Sequence, residues 1–516
     1  MASSIFPYPR FLWWVVLTWF GASPAAGQVQ IGSDIKGEVW DEHAGSTVAL
    51  SSDGRRVAIG SLPSDGSAAS SSVRVYQLHL GTWVQLGSDI TREASYNYWG
   101  GSTVAVSSDG DRVAIGAISK GDTVRPVSSV RIYEYADNAW VQLGSDIDGE
   151  EDFDESGRSV ALSSDGCRVA IGATHNSGTG ELAGHVRVFE YADNAWVQLG
   201  LDIDGEAAYN YFGASVALSS DGRRVAIGAH GNDGTASNAG HARVYEFRSG
   251  TWVQLGTDID GEAILDRSGW SVALSSDGSR VAIGAGLNSD AGLHAGHVRV
   301  FEYVDNAWVQ LGTDIDGEAP GDGSGSSVAL SADGRRLAIG AAGNAAFGWL
   351  AGHVRIFEYN GGDWAQLGTD IDGKGMHEHA GHSVSLSADG LRVAFGAPRA
   401  DFDGILGAGY TRIFDLGDAS IELAGTETPS AIILSAVYPN PLTNEAVFTL
   451  ALAIGQPVEV SLFDALGRRV RRLHQGTLPA GQAHAFRIER GSLPAGVYLV
   501  RVAGLRFSES RRVVVR

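Results

Sequence analysis

From residue 45 onward, short apolar runs alternate with tight polar turns in a fixed order. In Val225-Ala-Ile-Gly-Ala229 the large residues Val225 and Ile227 fall on one face of an extended segment, and Ala226 and Gly228 fall on the other. Four such runs follow one another: Ser215–Ser219, Arg224–Gly228, Ala242–Phe247 and Trp252–Gly256. Each is rich in Val and Ile and bounded by Gly, Asp or Asn, which predicts strands. The glycine that opens the unit recurs at Gly45, Gly101, Gly157, Gly213, Gly269, Gly325 and Gly381, always 56 residues apart. Four strands per unit predict one propeller blade, and seven units predict seven blades. Large residues on one face and small ones on the other suit a blade covered on both sides by its neighbours.

The ends of the pattern predict how the ring closes. The fourth strand begins at Trp83, Trp140, Trp196, Trp252, Trp308 and Trp364, which is six copies for seven units. The seventh copy, Gln28-Val-Gln-Ile-Gly-Ser-Asp-Ile35, stands ahead of the first unit. It is expected to pair with the last blade and remove the open edge. The predicted class is all-β: a seven-bladed β-propeller over 28–416 closed by an N-terminal strand, a linker over 417–435, and a small immunoglobulin-like β-sandwich over 436–516.

Within each blade, Asp-Gly turns such as Asp53-Gly54 join the first two strands, and short turns such as Asp137-Asn138 join the last two. The other two connections are long and varied, and both emerge on the opposite face. Loops on a rigid scaffold are where binding is expected.

Composition sharpens this picture. Glycine numbers 70 while hydrophobic residues still make up 44%, which fits many short strands and excludes disorder. Arg10, the apolar run Phe11–Phe20 and the small residues through Gly27 read as a secretory signal peptide, cut near Gln28. No other stretch is apolar enough to cross a membrane. Cys167 is the sole cysteine, so no intrachain disulfide forms despite export; it sits at a variable position beside a turn. A net charge of −22 excludes nucleic acid as a partner. A monomer is expected.

The segment Phe212-Gly-Ala-Ser-Val-Ala-Leu218, the Asp221-Gly222 turn and Val225-Ala-Ile-Gly-Ala229 resemble the FG-GAP propeller repeats of integrin α-chains and bacterial surface proteins. The calcium loop that this family often carries between the first two strands is here cut to Ser219-Ser-Asp-Gly-Arg-Arg224, too short for six or more oxygens. Leu330–Ile339 is also similar to the repeats of Tol-system periplasmic propellers. In the tail, Tyr438-Pro439-Asn440-Pro441, then Val458–Val470 with Gly467, then Leu493–Val502 with Gly496 and Tyr498, resemble the C-terminal sorting domain of type IX secretion cargo. That resemblance implies a partner, the type IX machinery, and a destination, secreted or on the outer cell surface of a Gram-negative bacterium.

Candidate chemistry lies in the variable loops. Tyr96, Tyr98 and Trp99 in one loop, and Tyr209, Tyr211 and Phe212 in another, offer aromatic faces to a glycan or protein, or plug the space between blades. His377, His379 and His382 lie close together before the seventh blade. His43 lies before the first, adjacent in a closed ring. Together they form a candidate zinc or copper set. The Asp146-Ile-Asp148-Gly-Glu150 runs place carboxylates two apart, which reads as an acidic rim with calcium as the alternative. The Arg at one register of every blade (Arg74 through Arg412) and the histidines His185, His241, His297 and His353 read as serving the repeat, through blade-internal pairs or in solvent. No cofactor is required by any of these patterns, and no catalytic constellation stands out. The expected function is a surface binding module. The alternatives are a polysaccharide hydrolase or lyase, or a passive surface-layer component.

Overall fold

The computed structural model describes residues 28–63, 72–91, 103–117, 128–402 and 404–417 of the first unit, and 432–434, 442, 444–452, 456–464, 468–479, 483–491, 493–503 and 508–515 of the second. The chain divides into compact units at 1–419 and 420–516. The proposed signal peptide lies outside the described residues.

Seven sheets of one design make up the first unit. In blade four the antiparallel order is Ser215–Leu218, Arg224–Ala229, His241–Arg248, Thr251–Gln254. A short fifth segment, Ile259–Asp260, returns to pair with the start of the third strand. The fourth strand is therefore one strand interrupted by a bulge. The two halves of Trp252–Asp260 both pair with His241–Arg248.

Blade seven is completed from the N-terminus. Val29 and Gln30 pair with Asp415 and Phe414, and Ile35 and Lys36 pair with Thr411 and Tyr410. The joint also reproduces a contact made at the other blade interfaces. Five indoles, from Trp140 to Trp364, donate Nε1–H to a leucine carbonyl of the preceding blade at 2.7–2.8 Å. Trp83 donates to the carbonyl of Ile31 in the closing strand. Gln28 occupies the tryptophan register, and its Nε2 donates to the Leu367 carbonyl at 3.2 Å. Six indoles and one carboxamide thus complete a ring of seven equivalent bonds.

A second ring closes the plain face. The backbone N–H of Ser52 donates to the carbonyl of Ser108, Ser108 to Ser164, and so on through Ser220, Ser276, Ala332 and Ala388 back to Ser52, each at 2.8–2.9 Å. Beside it, the Asp53 carboxylate accepts from the Ser51 hydroxyl and the Arg55 amide, so each Asp-Gly turn is stapled from within.

Blades approach as the small face of the second strand requires. A Cβ at Gly228 would overlap the carbonyl oxygen of Gly269 in the next blade, and the same approach recurs at Gly116, Gly172, Gly284, Gly340 and Gly396. Gly228→Ala is expected to destabilise by about 3 kcal/mol, because neither backbone can move without disturbing the ring. Gly362→Ala, at an open site, should be close to neutral. A urea midpoint for Gly228→Ala equal to that of Gly362→Ala would refute the close-packing argument.

The second unit pairs Ile432–Leu434, Glu445–Leu452 and Ala483–Glu489 in one sheet, and Arg469–Leu478, Gln456–Asp464, Gly496–Ala503 and Ser508–Val515 in another. Phe448, Leu450 and Ile488 from the first sheet and Val460, Leu462, Val500 and Val513 from the second share one core. The immunoglobulin-like label goes no further than this two-sheet arrangement. Gly496 opens a strand opposite Val515, and Tyr498 is buried with its hydroxyl donating to the Pro494 carbonyl at 3.0 Å. Tyr438, Pro439, Asn440, Pro441 and Gly467 lie outside the described residues, as does most of the linker.

Candidate functional site

The described loops that lead into a blade share one backbone form. A polar residue three positions before the opening glycine is buried in the described blades, and in all of them but blade four, which has Asn210, its carboxylate caps the loop. Asp266 accepts the amides of Glu262 and Ala263 at 3.1 and 2.7 Å, and Asp154 accepts those of Glu150 and Ser156 at 3.0 and 2.9 Å. The residues on either side of the cap are left-handed. Phe153 and Glu155 have φ of 67° and 55°, Tyr209 and Tyr211 64° and 54°, Leu265 and Arg267 65° and 54°, and His377 and His379 64° and 55°. Blade six uses Gly321 and Gly323 at these positions. A left-handed side chain costs on the order of 1 kcal/mol or more over glycine. Five of the described blades bear that cost at both positions.

Four positions of the described blades lie toward the mouth of the ring on this face, and those of blades three to five line one cleft: two before the opening glycine, one after it, and seventeen and eighteen after it. They differ from blade to blade while the strands around them repeat. Among the described residues they include three arginines (Arg158, Arg267, Arg399), five histidines (His43, His175, His230, His379, His382) and a single carboxylate, Glu155. The mouth is an island of basic and aromatic side chains on a strongly acidic chain.

One part of it is a cleft of about 300 Å³ shared by blades three, four and five. Tyr211 stacks on His230 with centroids 5.3 Å apart and planes 8° apart, and Trp270 packs on His230 at 4.9 Å. The Arg267 guanidinium lies over Trp270 at 5.6 Å. Its Nε is buried without a partner, as is His230 Nδ1. Burial, then Arg267 and Arg158, lower the His230 pKa to about 4, so the ring is neutral. Thr174 donates its hydroxyl to Glu155 at 3.4 Å on the far side. The Arg158 guanidinium has no hydrogen-bond or ion-pair partner among the described residues.

Other sequence-predicted residues are placed differently. Tyr209 is exposed, with its hydroxyl donating to Glu181. Phe212 is fully buried, edge-on to His241 and Tyr245, so it belongs to the core and leaves the ligand set. Tyr96, Tyr98 and Trp99 lie outside the described residues. The four candidate metal histidines are not gathered into a ligand set. His43 faces Asp41 at 3.2 Å and the Leu62 carbonyl at 3.1 Å, His377 packs edge-on to Trp349, and His379 and His382 lie with Arg399. Burial and then Arg399 hold the His379 pKa near 4 and lower that of His382. Trp270 and the exposed Phe347 and Trp349 were missed by sequence. The available signal was an aromatic in an otherwise small or polar loop register.

The acidic runs do not act as pairs. Asp258 joins His241 and Glu206 within blade four's cluster, whereas Glu262, from the same run, belongs to the next cluster with His297. Glu150–His185–Asp202 and Glu318–His353–Asp370 repeat the arrangement. Each cluster also holds an arginine. Arg243 bonds both Glu206 and Asp258, and Arg187, Arg299 and Arg355 donate to the carbonyls of Asp148, Asp260 and Asp316 in the preceding blade at 2.5–2.7 Å. Arg243 to Asp258 and Arg131 to Asp146 are the blade-internal pairs expected from the sequence, whereas the bonds of Arg187, Arg299 and Arg355, and of Arg243 to Glu206, add a bridge to the preceding blade. The donor set would suit a divalent ion, but a fixed guanidinium already supplies the positive charge.

Among known families, residues 436–516 match the secretion system C-terminal sorting domain and residues 203–245 match the FG-GAP repeat. A search of curated proteins gives no match. Among solved structures, the chain is similar to a fungal alcohol oxidase in complex with copper, at 10% identity over 94% of this chain and 100% of that one, with a TM-score of 0.45. It is similar to the β-propeller domain of the Trilobed protease from Pyrococcus furiosus, at 10% identity over 76% and 99%, with a TM-score of 0.41. A putative TolB from Agrobacterium tumefaciens shows 13% identity over 61% and 91%, with a TM-score of 0.34. Copper and proteolysis are properties of those proteins. The chain is a β-propeller in which one repeat matches FG-GAP, it carries the sorting domain of type IX secretion cargo, and it is secreted or held on the outer surface of a Gram-negative cell. No helix among the described residues is long and apolar enough to cross a membrane.

Proposed function

We propose that this exported propeller is a non-catalytic recognition module whose ligand, a glycan or a surface protein, binds at the mouth of the variable face. The observation that carries the reading is the pairing of blade-to-blade variation with backbone strain. The residues that differ include those held left-handed where glycine would be easier, a pattern that marks functional positions. A rigid ring that displays short, varied loops is suited to recognition, because little ordering entropy is lost on binding.

Tyr211→Gly tests the reading directly, since blade six already uses Gly323 at that register. The variant is expected to melt within a few degrees of the parent, because relief of strain offsets the lost ring stacking. It is also expected to lose saturable binding on an array of glycans and matrix proteins. A parent chain that is silent on the whole array, or a variant that binds unchanged, refutes the proposal.

A further inference from the structure

The cleft between blades three, four and five has three chemically distinct walls. Arg158 and Arg267 supply two guanidiniums, one with a buried and unpartnered Nε. Tyr211 and Trp270 flank the neutral His230 and present flat apolar surface. Glu155, Thr174 and His175 supply acceptors and donors at the opposite side. The guanidiniums call for an anion, since a planar fork binds carboxylate, sulfate or phosphate oxygens in pairs. The rings call for a flat apolar face. Glu155 calls for hydroxyl donors. A volume of about 300 Å³ lies at the lower end of small-ligand pockets, which admits a sugar ring or two and leaves little room for a nucleotide.

Resting on the reading of the mouth as a recognition site, we propose that this cleft binds a pyranose carrying an anionic group, a carboxylate or a sulfate ester. The anion lies on Arg158 and Arg267, the apolar ring face lies on Tyr211 and Trp270, and the hydroxyls donate to Glu155. Net charge alone would repel such a ligand, so selectivity comes from the local guanidinium pair and is sensitive to salt. The paired arginines also distinguish the charged sugar from its neutral parent, because binding the neutral sugar leaves both guanidiniums buried against it without an acceptor.

The test is titration of the full chain with uronate oligosaccharides, sulfated galactose and the corresponding neutral galactosides, read by calorimetry and tryptophan fluorescence. Uronate or sulfated sugar is expected to bind at least tenfold tighter than the neutral parent, and which of the two binds identifies the anion. Arg267→Gln and Trp270→Ala are expected to weaken binding tenfold or more at unchanged melting temperature. Equal affinity for the neutral sugar, no binding of any anionic sugar, or unchanged affinity in the Arg158→Gln and Arg267→Gln variants overturns the inference. If the array yields a different ligand that Tyr211→Gly abolishes while every anionic sugar is silent, this inference fails and the recognition reading stands.

Discussion

Removing residues 28–37 is expected to collapse the propeller, although the deletion lies ahead of all seven opening glycines. Blade seven then ends at Tyr410–Asp415 with an open edge. The loss includes the ladders to Asp415, Phe414, Thr411 and Tyr410, the bonds from Ile31 N to the Ile413 carbonyl at 2.8 Å and from Gly37 N to the Gly409 carbonyl at 3.0 Å, and the buried Ile35. It also removes the acceptor of Trp83 and the Gln28 bond to Leu367, so both interfaces of the seventh blade are weakened at once. At about 1 kcal/mol per hydrogen bond and about 2 kcal/mol for the isoleucine, the deficit is several kcal/mol. An exposed edge also invites pairing between copies. The expected result is a thermal midpoint lower by more than ten degrees, with aggregation on heating. A synthetic peptide of residues 28–37 should restore part of the loss. A truncated chain that melts with the parent, or shows no response to the peptide, would mean that the closing strand is dispensable.

Acid is expected to have the second large effect, and at an unusually high pH. Burial, then the adjacent arginine, lowers the pKa of His185, His241 and His297; burial likewise lowers that of His353. For His241 the value falls to about 4 from the ordinary 6.5. Protonation therefore favours the unfolded chain between those limits. The stabilisation is complete above pH 6.5 and is lost as pH falls toward 4, by at most about 3 kcal/mol for His241. Glu206 and Asp258 act lower in the range. Burial raises their pKa values, but bonding to Arg243 outweighs it, so their contribution is lost only below the ordinary carboxylate range. Asp204, Asp260 and Asp372 oppose the trend, because burial and a neighbouring aspartate raise them. The urea midpoint should fall steeply from pH 6.5 to 4.5, and His241→Asn should flatten part of the fall. A midpoint constant across that interval would contradict the assignment of neutral buried imidazoles.

The repeat made the propeller legible. Strand alternation and the Asp-Gly turns are local properties, and a 56-residue period copies them seven times. Ring closure was legible for the same reason, since a missing fourth strand and a displaced copy of it are both visible along the chain. Gln28 as the substitute for tryptophan was not, because only the register of Val29 against Asp415 brings its carboxamide to Leu367.

The sites divide along the same line. Sequence alone determined that the variable loops share one face and carry aromatics, histidines and acids, because connection length and strand order are one-dimensional facts. Only the tertiary structure decided which of those residues meet. Tyr211, His230 and Trp270 come from two blades, with Arg158 from a third. Adjacent Tyr211 and Phe212 part company, one to the cleft and one to the core, because the left-handed turn at Tyr211 points successive side chains apart. The acidic run splits between two clusters because each blade interface draws one carboxylate from either side of it. In a ring of near-identical blades, function depends on contacts about one repeat apart, and sequence spacing does not show which of them form.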